Sequence, residues 1–206
     1  MIHIFCEQRS DEWFRLRRGI PTASSFSKIM TSKLDYSKSA EKYAWDLVGE
    51  SFGIERDKVF VSHAMQHGID FEDEASFSYS LTAEAEVEEC GFIFQDDRKF
   101  WGASPDRLIG DDGLLEIKCP QPARMVEYHE QQKLPTQYIQ QVYGQLLVTG
   151  RKWLDFYAYH PEMKPFLIRV NADSQKQNKV QDCLERFTKY RLDLIERYSN
   201  VYDNGS

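Results

Sequence analysis

The sequence predicts a single α/β domain in which a central mixed β-sheet is flanked by helices. The length of 206 residues suits one domain with its own hydrophobic core. The predicted elements run from helices to a group of strands, back to helices, and then to two strands and a helix, an order typical of one sheet covered by helices. Residues 1–206 contain no internal repeat and no linker rich in Gly, Ser or Pro, so one domain is expected over the whole length.

The first part of the chain is predicted to be helical. Ser10 precedes two acidic residues and then arginines, an order that suits the dipole of a short helix, which Gly19 ends. Thr22 or Ser24 is expected to cap the next helix. These helices are predicted at residues 10–18, 22–30, 39–52 and 64–81.

From residue 87 the pattern changes to that of strands. The turn sequence Gly110-Asp111-Asp112-Gly113 is a strong hairpin signal between two of them. Three further helices are expected to begin at Pro122, at Pro135 and at Ser174, and the last of these is amphipathic. The strands are predicted at residues 87–94, 99–103, 107–109, 114–118, 153–160 and 165–170.

Charge is unevenly distributed along a chain whose formal net charge is −7. Residues 70–97 contain ten acids and no Lys or Arg, so the rest of the chain, with 23 acids and 26 bases, has a net charge of +3. Residues 1–40 hold seven bases against four acids. Because exposed charges are screened beyond about 8–10 Å at physiological salt, a basic segment can bind a polyanion on an acidic protein. On charge alone, ordinary solvated surfaces are the preferred interpretation of both segments.

The cysteines and the hydropathy argue against several classes of protein. The four cysteines are dispersed and form no Cys-x-x-Cys pair, which argues against zinc ribbons and cysteine-ligated iron–sulfur clusters. No apolar run approaches the roughly 20 residues that span a membrane, and the N-terminal segment lacks a signal-peptide pattern. A cytoplasmic protein that does not bind a membrane is therefore expected.

Two carboxylates and a lysine are expected to converge on the predicted hairpin. Glu116 and Lys118 alternate with Ile117 and so share one face of a strand. Given the position of the turn, Asp106 is predicted to lie across from the end of that strand. Two neighbouring carboxylates form a site for Mg²⁺ or Mn²⁺, and a lysine beside them can orient or deprotonate a water.

This set suits phosphodiester hydrolysis, in which metal ions stabilise charge on the attacking and leaving oxygens. Taken alone, the spacing Asp-x9-Glu-x-Lys is a weak pattern, and an exposed hairpin with a Glu–Lys pair is the simpler interpretation. Three features favour a site. The second strand is apolar and so expected to be buried, Glu72 is a third carboxylate on a preceding helix, and Gln141 lies on a following helix.

The segments Ser-Pro-Asp at 104–106 and Leu-Glu-Ile-Lys at 115–118 resemble the PD-(D/E)xK nuclease signature, and more narrowly the lambda-exonuclease or YqaJ type of phage recombinase. Three other segments resemble this family in the same order. Residues 13–24 are similar to its Trp-x-x-x-Arg-x-Gly-x-x-Thr-Ala-Ser element, residues 68–75 to its Gly-x-x-x-Glu helix, and residues 138–141 to its Tyr-x-x-Gln helix. One such motif is weak, whereas four in order are a specific signal.

The resemblance implies a restriction-endonuclease-like core of the PD-(D/E)xK type. It also implies two metal ions per active site, which would be Mg²⁺ or, as an alternative, Mn²⁺. Asp106 and Glu116 would bind metal together with the main-chain carbonyl of Ile117. Glu72 would hold the second ion, directly or through water. Lys118 would position the nucleophilic water, and Gln141 would support the site or contact the cleaved strand.

The resemblance also implies a pocket for the 5′-terminal phosphate of DNA. Arg17, Ser24 and Ser104 would form it with Thr22 beside them, because charge-assisted hydrogen bonds favour a doubly charged phosphate. Met65 would match the apolar wedge that separates the strands, although a place in the core is the simpler interpretation.

Three positions depart from the family pattern. Arg107 stands where the family often has Gly, and Tyr143 stands where a second Gln often occurs. Arg18 follows Arg17, so either arginine could be the one in the phosphate pocket.

The activity implied by the resemblance is a 5′→3′ exonuclease. It would degrade one strand of linear double-stranded DNA to mononucleotides and leave a 3′ overhang for recombination by annealing. A ring-shaped homotrimer, a single-strand annealing protein as partner and an origin in a phage or prophage are implied as well. The basic segment 1–40 and the acidic segment 70–97 are a candidate contact between subunits.

Two other functions stay open on the sequence. A PD-(D/E)xK endonuclease, of restriction or Holliday-junction type, would use the same carboxylates and lysine but cut closed circular DNA. A catalytically inactive DNA-binding module could retain the same core. A helicase-associated nuclease with an iron–sulfur cluster is opposed by the dispersed cysteines.

Overall fold

The computed structural model describes residues 1–54 and 63–203. The N-terminal part contains β1 (Ile2–Ile4), α1 (Asp11–Arg17), a 3-10 helix (Ala23–Lys28), α2 (Ala40–Ser51) and α3 (His63–Ala83). The middle part contains β2 (Glu88–Glu89), β3 (Phe92–Phe94), β4 (Gly102–Ala103), β5 (Arg107–Ile109) and β6 (Gly113–Lys118). The last part contains α4 (Pro122–Gln131), a 3-10 turn (Thr136–Tyr138), α5 (Ile139–Thr149), β7 (Trp153–Ala158), β8 (Phe166–Asn171) and α6 (Ser174–Asp203).

The expected α/β fold is confirmed, with a mixed five-stranded sheet at its centre. Its strand order is β2-β5-β6-β7-β8. β6 and β7 run parallel, whereas the other neighbours are antiparallel. The connection from β6 to β7 runs through α4 and α5, because parallel neighbours need a crossover long enough to hold a helix.

The predicted strand over residues 87–94 is wrong in one respect, because it is two strands in two sheets. β2 pairs with β5 in the five-stranded sheet, whereas β3 lies between β1 and β4 in a separate three-stranded sheet. The chain crosses from one sheet to the other at Gly91. A Cβ atom there would lie 2.3 Å from the carbonyl oxygen of Ile4, so only glycine allows the approach.

Most predicted helices are present, and their ends differ in detail. The expected helix over 22–30 is instead a 3-10 helix, in which Ser25 N donates to Thr22 O at 2.7 Å. The Thr22 hydroxyl makes no capping bond, because it faces a side chain of α1. α6 is capped by Asp173 and not by Ser174, since Asp173 Oδ1 accepts from the main-chain N–H groups of residues 175 and 176.

The two faces of the five-stranded sheet carry separate hydrophobic clusters. β6 alternates between them: Leu114 packs into the larger cluster, with α5 and α6, whereas Leu115 and Ile117 pack with Ala75 and Tyr79 of α3. α3 and α5 therefore cover opposite faces of the same strand. None of the helices formed by residues 1–54 and 63–203 is long and apolar enough to cross a membrane.

Candidate active site

Asp106 lies at the point where the chain enters β5, and the hairpin brings it to the end of β6. The strands pair with Arg107 opposite Leu115. Asp106 Oδ2 accepts a hydrogen bond of 2.6 Å from the main-chain N–H of Ile117. The carboxylate of Asp106 is thereby held against the strand segment that carries Glu116 and Lys118, as the spacing predicts.

Glu116 is the centre of a buried hydrogen-bond cluster. Its side chain is 1% exposed. Oε1 accepts from Gln141 Nε2 at 2.5 Å and from Lys118 Nζ, whereas Oε2 accepts from Gln145 Nε2 at 2.7 Å. Both carboxylate oxygens therefore have donors, which a buried carboxylate requires.

The electrostatics of the site differ from those of a surface hairpin. Burial, followed by repulsion from Glu116, raises the pKa of Asp106 to about 8. Burial by itself would lower the pKa of Lys118, but the carboxylates of Glu116 and Asp106 outweigh it and raise that pKa above its ordinary value. Lys118 is thus a cation at neutral pH, suited to orienting a water rather than deprotonating it.

The donor set fits a hard divalent cation. The repulsion that Glu116 exerts on Asp106 is relieved by a positive charge between the two carboxylates, and carboxylate and carbonyl oxygens are the ligands that Mg²⁺ and Mn²⁺ prefer. Asp106 and Glu116, with the Ile117 carbonyl at the same end of β6, would hold the ion. No cluster of three or more His, Cys, Asp or Glu side chains able to hold a metal occurs among residues 1–54 and 63–203.

Glu72 reaches the site from the other face of the sheet. It lies on α3, whereas Glu116 meets α5, so Asp106 lies between the two at the strand end. Glu72 acts on the Asp106 carboxylate electrostatically, as one cause of its raised pKa. Its own oxygens are bound by two arginines: Oε2 by Arg9 Nη2 and Oε1 by Arg107 Nη1 at 3.3 Å.

Three of the residues expected at the 5′-phosphate pocket, Arg17, Thr22 and Ser24, contact one another. Arg17 Nη2 lies 3.3 Å from both Thr22 Oγ1 and Ser24 Oγ. The guanidinium stacks on Trp13, 3.8 Å from the ring centroid. Burial lowers the pKa of Arg17 to about 10, which leaves it charged at neutral pH.

Ser104 joins this cluster to the carboxylates. Trp13 Nε1 donates to Ser104 Oγ at 2.8 Å, and Ser104 Oγ donates to the carbonyl of Gly91 at 2.5 Å. Ser104 stands two residues before Asp106, so the expected pocket and the carboxylates are adjacent. Of the two candidate arginines, Arg17 contacts Thr22 and Ser24, whereas Arg18 is an exposed residue that caps the end of α1.

The structure does not describe the side chain of one predicted site residue, and it adds residues that the sequence analysis did not predict. Met65 lies in the first turn of α3, and its side chain is outside the described residues. Sequence reasoning missed Gln145, although it follows Gln141 by four residues, and that helical spacing is the signal that could have found it. It also missed Trp13 as a support for Arg17, and it treated Arg107 as a departure without a partner.

The chain is similar to known proteins both in sequence and in fold. Residues 12–152 match the YqaJ-like viral recombinase domain. The alkaline exonuclease LHK-Exo from Laribacter hongkongensis is 29% identical, with a TM-score of 0.86 over 96% of this chain and 100% of that one. Its complex with dAMP gives a TM-score of 0.85 at the same identity and coverage.

A phage related exonuclease from Haemophilus somnus 129PT shares the fold at 14% identity, with a TM-score of 0.66 over 89% of this chain and 98% of that one. No curated protein sequence matches the chain. The domain match spans more than half of the residues and includes the candidate-site residues from Trp13 to Gln145, whereas Arg9 lies before it. The chain therefore belongs to the family of the YqaJ-like viral recombinase domain.

Proposed function

We propose that this chain is a Mg²⁺-dependent 5′→3′ exonuclease that degrades one strand of linear double-stranded DNA. The observation that carries the proposal is the pair formed by the partly buried Asp106 and the buried Glu116, with Lys118 beside it. Shielding two carboxylates and a lysine from water costs stability, so their presence together favours a functional role. Membership of a recombinase family and the likeness to an alkaline exonuclease support nuclease chemistry at this set.

The proposed roles are those that the family resemblance implies, and the contacts of the side chains support them. Asp106, Glu116 and the Ile117 carbonyl would hold Mg²⁺, with Mn²⁺ as an alternative, and a second ion would draw on Glu72. When bound, the ions stabilise charge on the attacking and leaving oxygens and lower the pKa of water. Lys118, held as a cation, orients the attacking water. Gln141 and Gln145 fix the carboxylate of Glu116 through one hydrogen bond each.

End recognition is assigned to the cluster around Arg17. A guanidinium flanked by two hydroxyls offers several donors to a terminal phosphate, and stacking on Trp13 fixes its plane. Ser104 ties this cluster to Asp106 along the chain, so a bound 5′ phosphate would present the first phosphodiester to the carboxylates. The dAMP complex of LHK-Exo supports a site that accepts a deoxynucleoside monophosphate. Met65 stays the proposed strand-separating wedge.

The resemblance also implies an oligomeric state and a role in recombination. We propose a ring-shaped homotrimer, and a 3′ overhang that passes to a single-strand annealing protein in a phage or prophage setting. The subunit contact between the basic and acidic segments has an intrachain competitor, because Arg9 already pairs with Glu72. A contact between subunits would therefore have to use charged residues of the two segments other than Arg9 and Glu72.

The test is cleavage with Mg²⁺ of three DNAs: a linear duplex with 5′ phosphates, the same duplex without them, and a closed circular plasmid. Release of mononucleotides from the phosphorylated linear duplex, with slower release from the unphosphorylated one, is expected. Nicking of the plasmid would replace the proposal with an endonuclease. Binding without cleavage of any DNA would favour a DNA-binding module.

A further inference from the structure

Glu72 is the one carboxylate of the proposed metal centre whose two oxygens are both bound by arginines. Arg107 Nη1 lies 3.3 Å from Oε1, and Arg9 Nη2 contacts Oε2. Glu116, by contrast, is bound mainly by neutral amides, with Lys118 on one oxygen. The two carboxylates that lie on either side of Asp106 therefore differ in how much positive charge they already hold.

The contact with Arg107 is shielded from water. The Glu72 side chain is 16% exposed and that of Arg107 is 11% exposed, whereas Arg9 is 45% exposed. Ion pairs shielded in this way are weakly screened and cost much to break. Arg107 is also held by Asp73 Oδ1 at 3.1 Å, and Asp73 is fully exposed.

Arg107 connects Glu72 to the main chain of Asp106, the residue just before β5. The same Nη1 that faces Glu72 donates a hydrogen bond of 2.8 Å to the main-chain carbonyl of Asp106. In β5 the side chain of Arg107 is on the face that α3 covers, since its partner Leu115 packs against α3. Nη1 of Arg107 thus lies between a carboxylate oxygen of Glu72 and the main-chain carbonyl oxygen of Asp106.

We infer that Arg107, assisted by Arg9, competes with a second divalent ion for Glu72, so that this centre binds its two ions with unequal affinities. The inference rests on the proposed metal centre and adds a regulator of its occupancy. The first ion binds at Asp106 and Glu116, which neither arginine contacts through the carboxylates. The second ion binds only after it displaces a guanidinium from Glu72. At low concentrations of divalent ion, the guanidinium of Arg107 remains bound to Glu72 in place of the second ion.

The experiment measures Mn²⁺ binding without DNA, by the electron paramagnetic resonance of free Mn²⁺ and by calorimetry. The wild-type chain is expected to bind one ion tightly and a second weakly. Arg107→Gln removes the charge and keeps a donor, so the second ion should bind about tenfold more tightly or better, with the first unchanged within about twofold. Arg107→Lys should keep the wild-type inequality, because it keeps the charge.

A double-mutant cycle separates the effect on Glu72 from a general loss of positive charge. In a Glu72→Gln background, Arg107→Gln should no longer change Mn²⁺ affinity. Arg98→Gln is the matched control, since Arg98 is an exposed arginine paired with Asp96. It should leave both affinities unchanged.

Three results would overturn the inference: equal affinities for the two ions in the wild-type chain, an Arg107→Gln affinity unchanged from wild type, or an effect that persists without Glu72. Loss of the first ion in Arg107→Gln would also overturn it, because Arg107 would then organise Asp106 itself. Absence of any Mn²⁺ binding by the wild-type chain would instead overturn the proposed metal centre.

Discussion

At the scale of single residues, the proposed metal ligands Asp106 and Glu116 are expected to lower the stability of the ion-free protein. Burial, and after it repulsion from Glu116, raises the pKa of the Asp106 carboxyl. The cost falls on the ion-free protein, because a bound cation removes the repulsion. A residue that lowers stability while holding the reacting ion is expected at an active site.

Asp106→Asn should therefore separate activity from stability. The amide keeps an oxygen that can accept from the Ile117 N–H but removes the charge, so cleavage should fall by about a thousandfold or more. In EDTA the same variant should melt a few degrees higher than the wild-type protein. Differential scanning calorimetry and a nuclease assay measure the two effects. Asp112→Asn, on the exposed hairpin turn, should change neither, and an active Asp106→Asn enzyme would contradict the site.

Gln145 is expected to matter although no motif includes it. Gln145→Met leaves Glu116 Oε2 without its donor, so the carboxylate loses its fixed orientation. We expect kcat to fall by about tenfold to a hundredfold, as for other partners of metal-binding side chains, with the Kd for DNA unchanged. Gln181→Met on the exposed side of α6 is the control. An unchanged kcat would remove Gln145 from the site.

One ratio of cleavage rates tests which arginine belongs to the proposed phosphate pocket. Arg17→Gln should lower the ratio of cleavage rates on 5′-phosphorylated and 5′-hydroxyl duplexes by about tenfold or more, because charge-assisted hydrogen bonds are lost. The ratio is informative since a general loss of folding affects both rates equally. Arg18→Gln is the comparison and should keep the ratio. The reverse pattern would move the pocket to Arg18.

At the scale of elements, the crossing of α5 over the 3-10 helix positions two parts of the site at once. α5 carries Gln141 and Gln145, and the 3-10 helix carries Ser24. Gly144 lies at the crossing, where an added Cβ would stand 2.4 Å from the ring of Phe26, which is fully buried. A rigid ring in a packed core cannot move aside without cost.

Gly144→Ala should consequently destabilise the protein by about 1–3 kcal/mol through overpacking. Gly49→Ala in α2 is the matched control. Nothing lies within 4 Å of an added Cβ there, so the better helix propensity of alanine should stabilise the protein by about 0.5–1 kcal/mol. Urea unfolding of both variants gives the comparison. Equal effects of the same sign would show that the crossing is not tightly packed.

A second feature of the elements is the polar contact that holds α3 on the sheet. Tyr79 donates to Asp155 at 2.7 Å, and Arg169 binds the same carboxylate with two hydrogen bonds of 2.8 Å. Asp155 is buried, so these three donors replace its lost water. The network fixes the helix that carries Glu72, two turns along the chain.

At the scale of the whole molecule, the proposal of a trimer makes a simple prediction about mass. α3 leaves Phe77 and Leu81 each 66% exposed, an arrangement more common on surfaces that contact a partner. Light scattering at micromolar concentration should give three times the chain mass of 24.2 kDa. The value should hold on tenfold dilution. A mass of one chain would contradict the ring while leaving the nuclease site intact.

The local features of the fold were within reach of the sequence. The hairpin turn and the strand period of two place Asp106 near Glu116 and Lys118, and Ser10 and Gly19 mark the two ends of α1. These signals work because they depend on neighbours within a few residues along the chain. The phosphate-pocket residues Arg17, Thr22 and Ser24 are close in sequence as well, although their grouping came from a resemblance.

Contacts between distant segments were decided by the tertiary structure alone. The switch between sheets at Gly91 depends on β1, ninety residues away, and β1 itself was not predicted. Glu72 pairs with Arg9 and Arg107 and lies on the sheet face opposite Glu116. Both facts depend on how α3 packs against the sheet. The sequence by itself determined which carboxylates and lysine stand together, because strand geometry sets that locally. Only the packing of α3 and α5 decided which cations and amides meet those carboxylates, since burial and charge neighbours are properties of the folded chain.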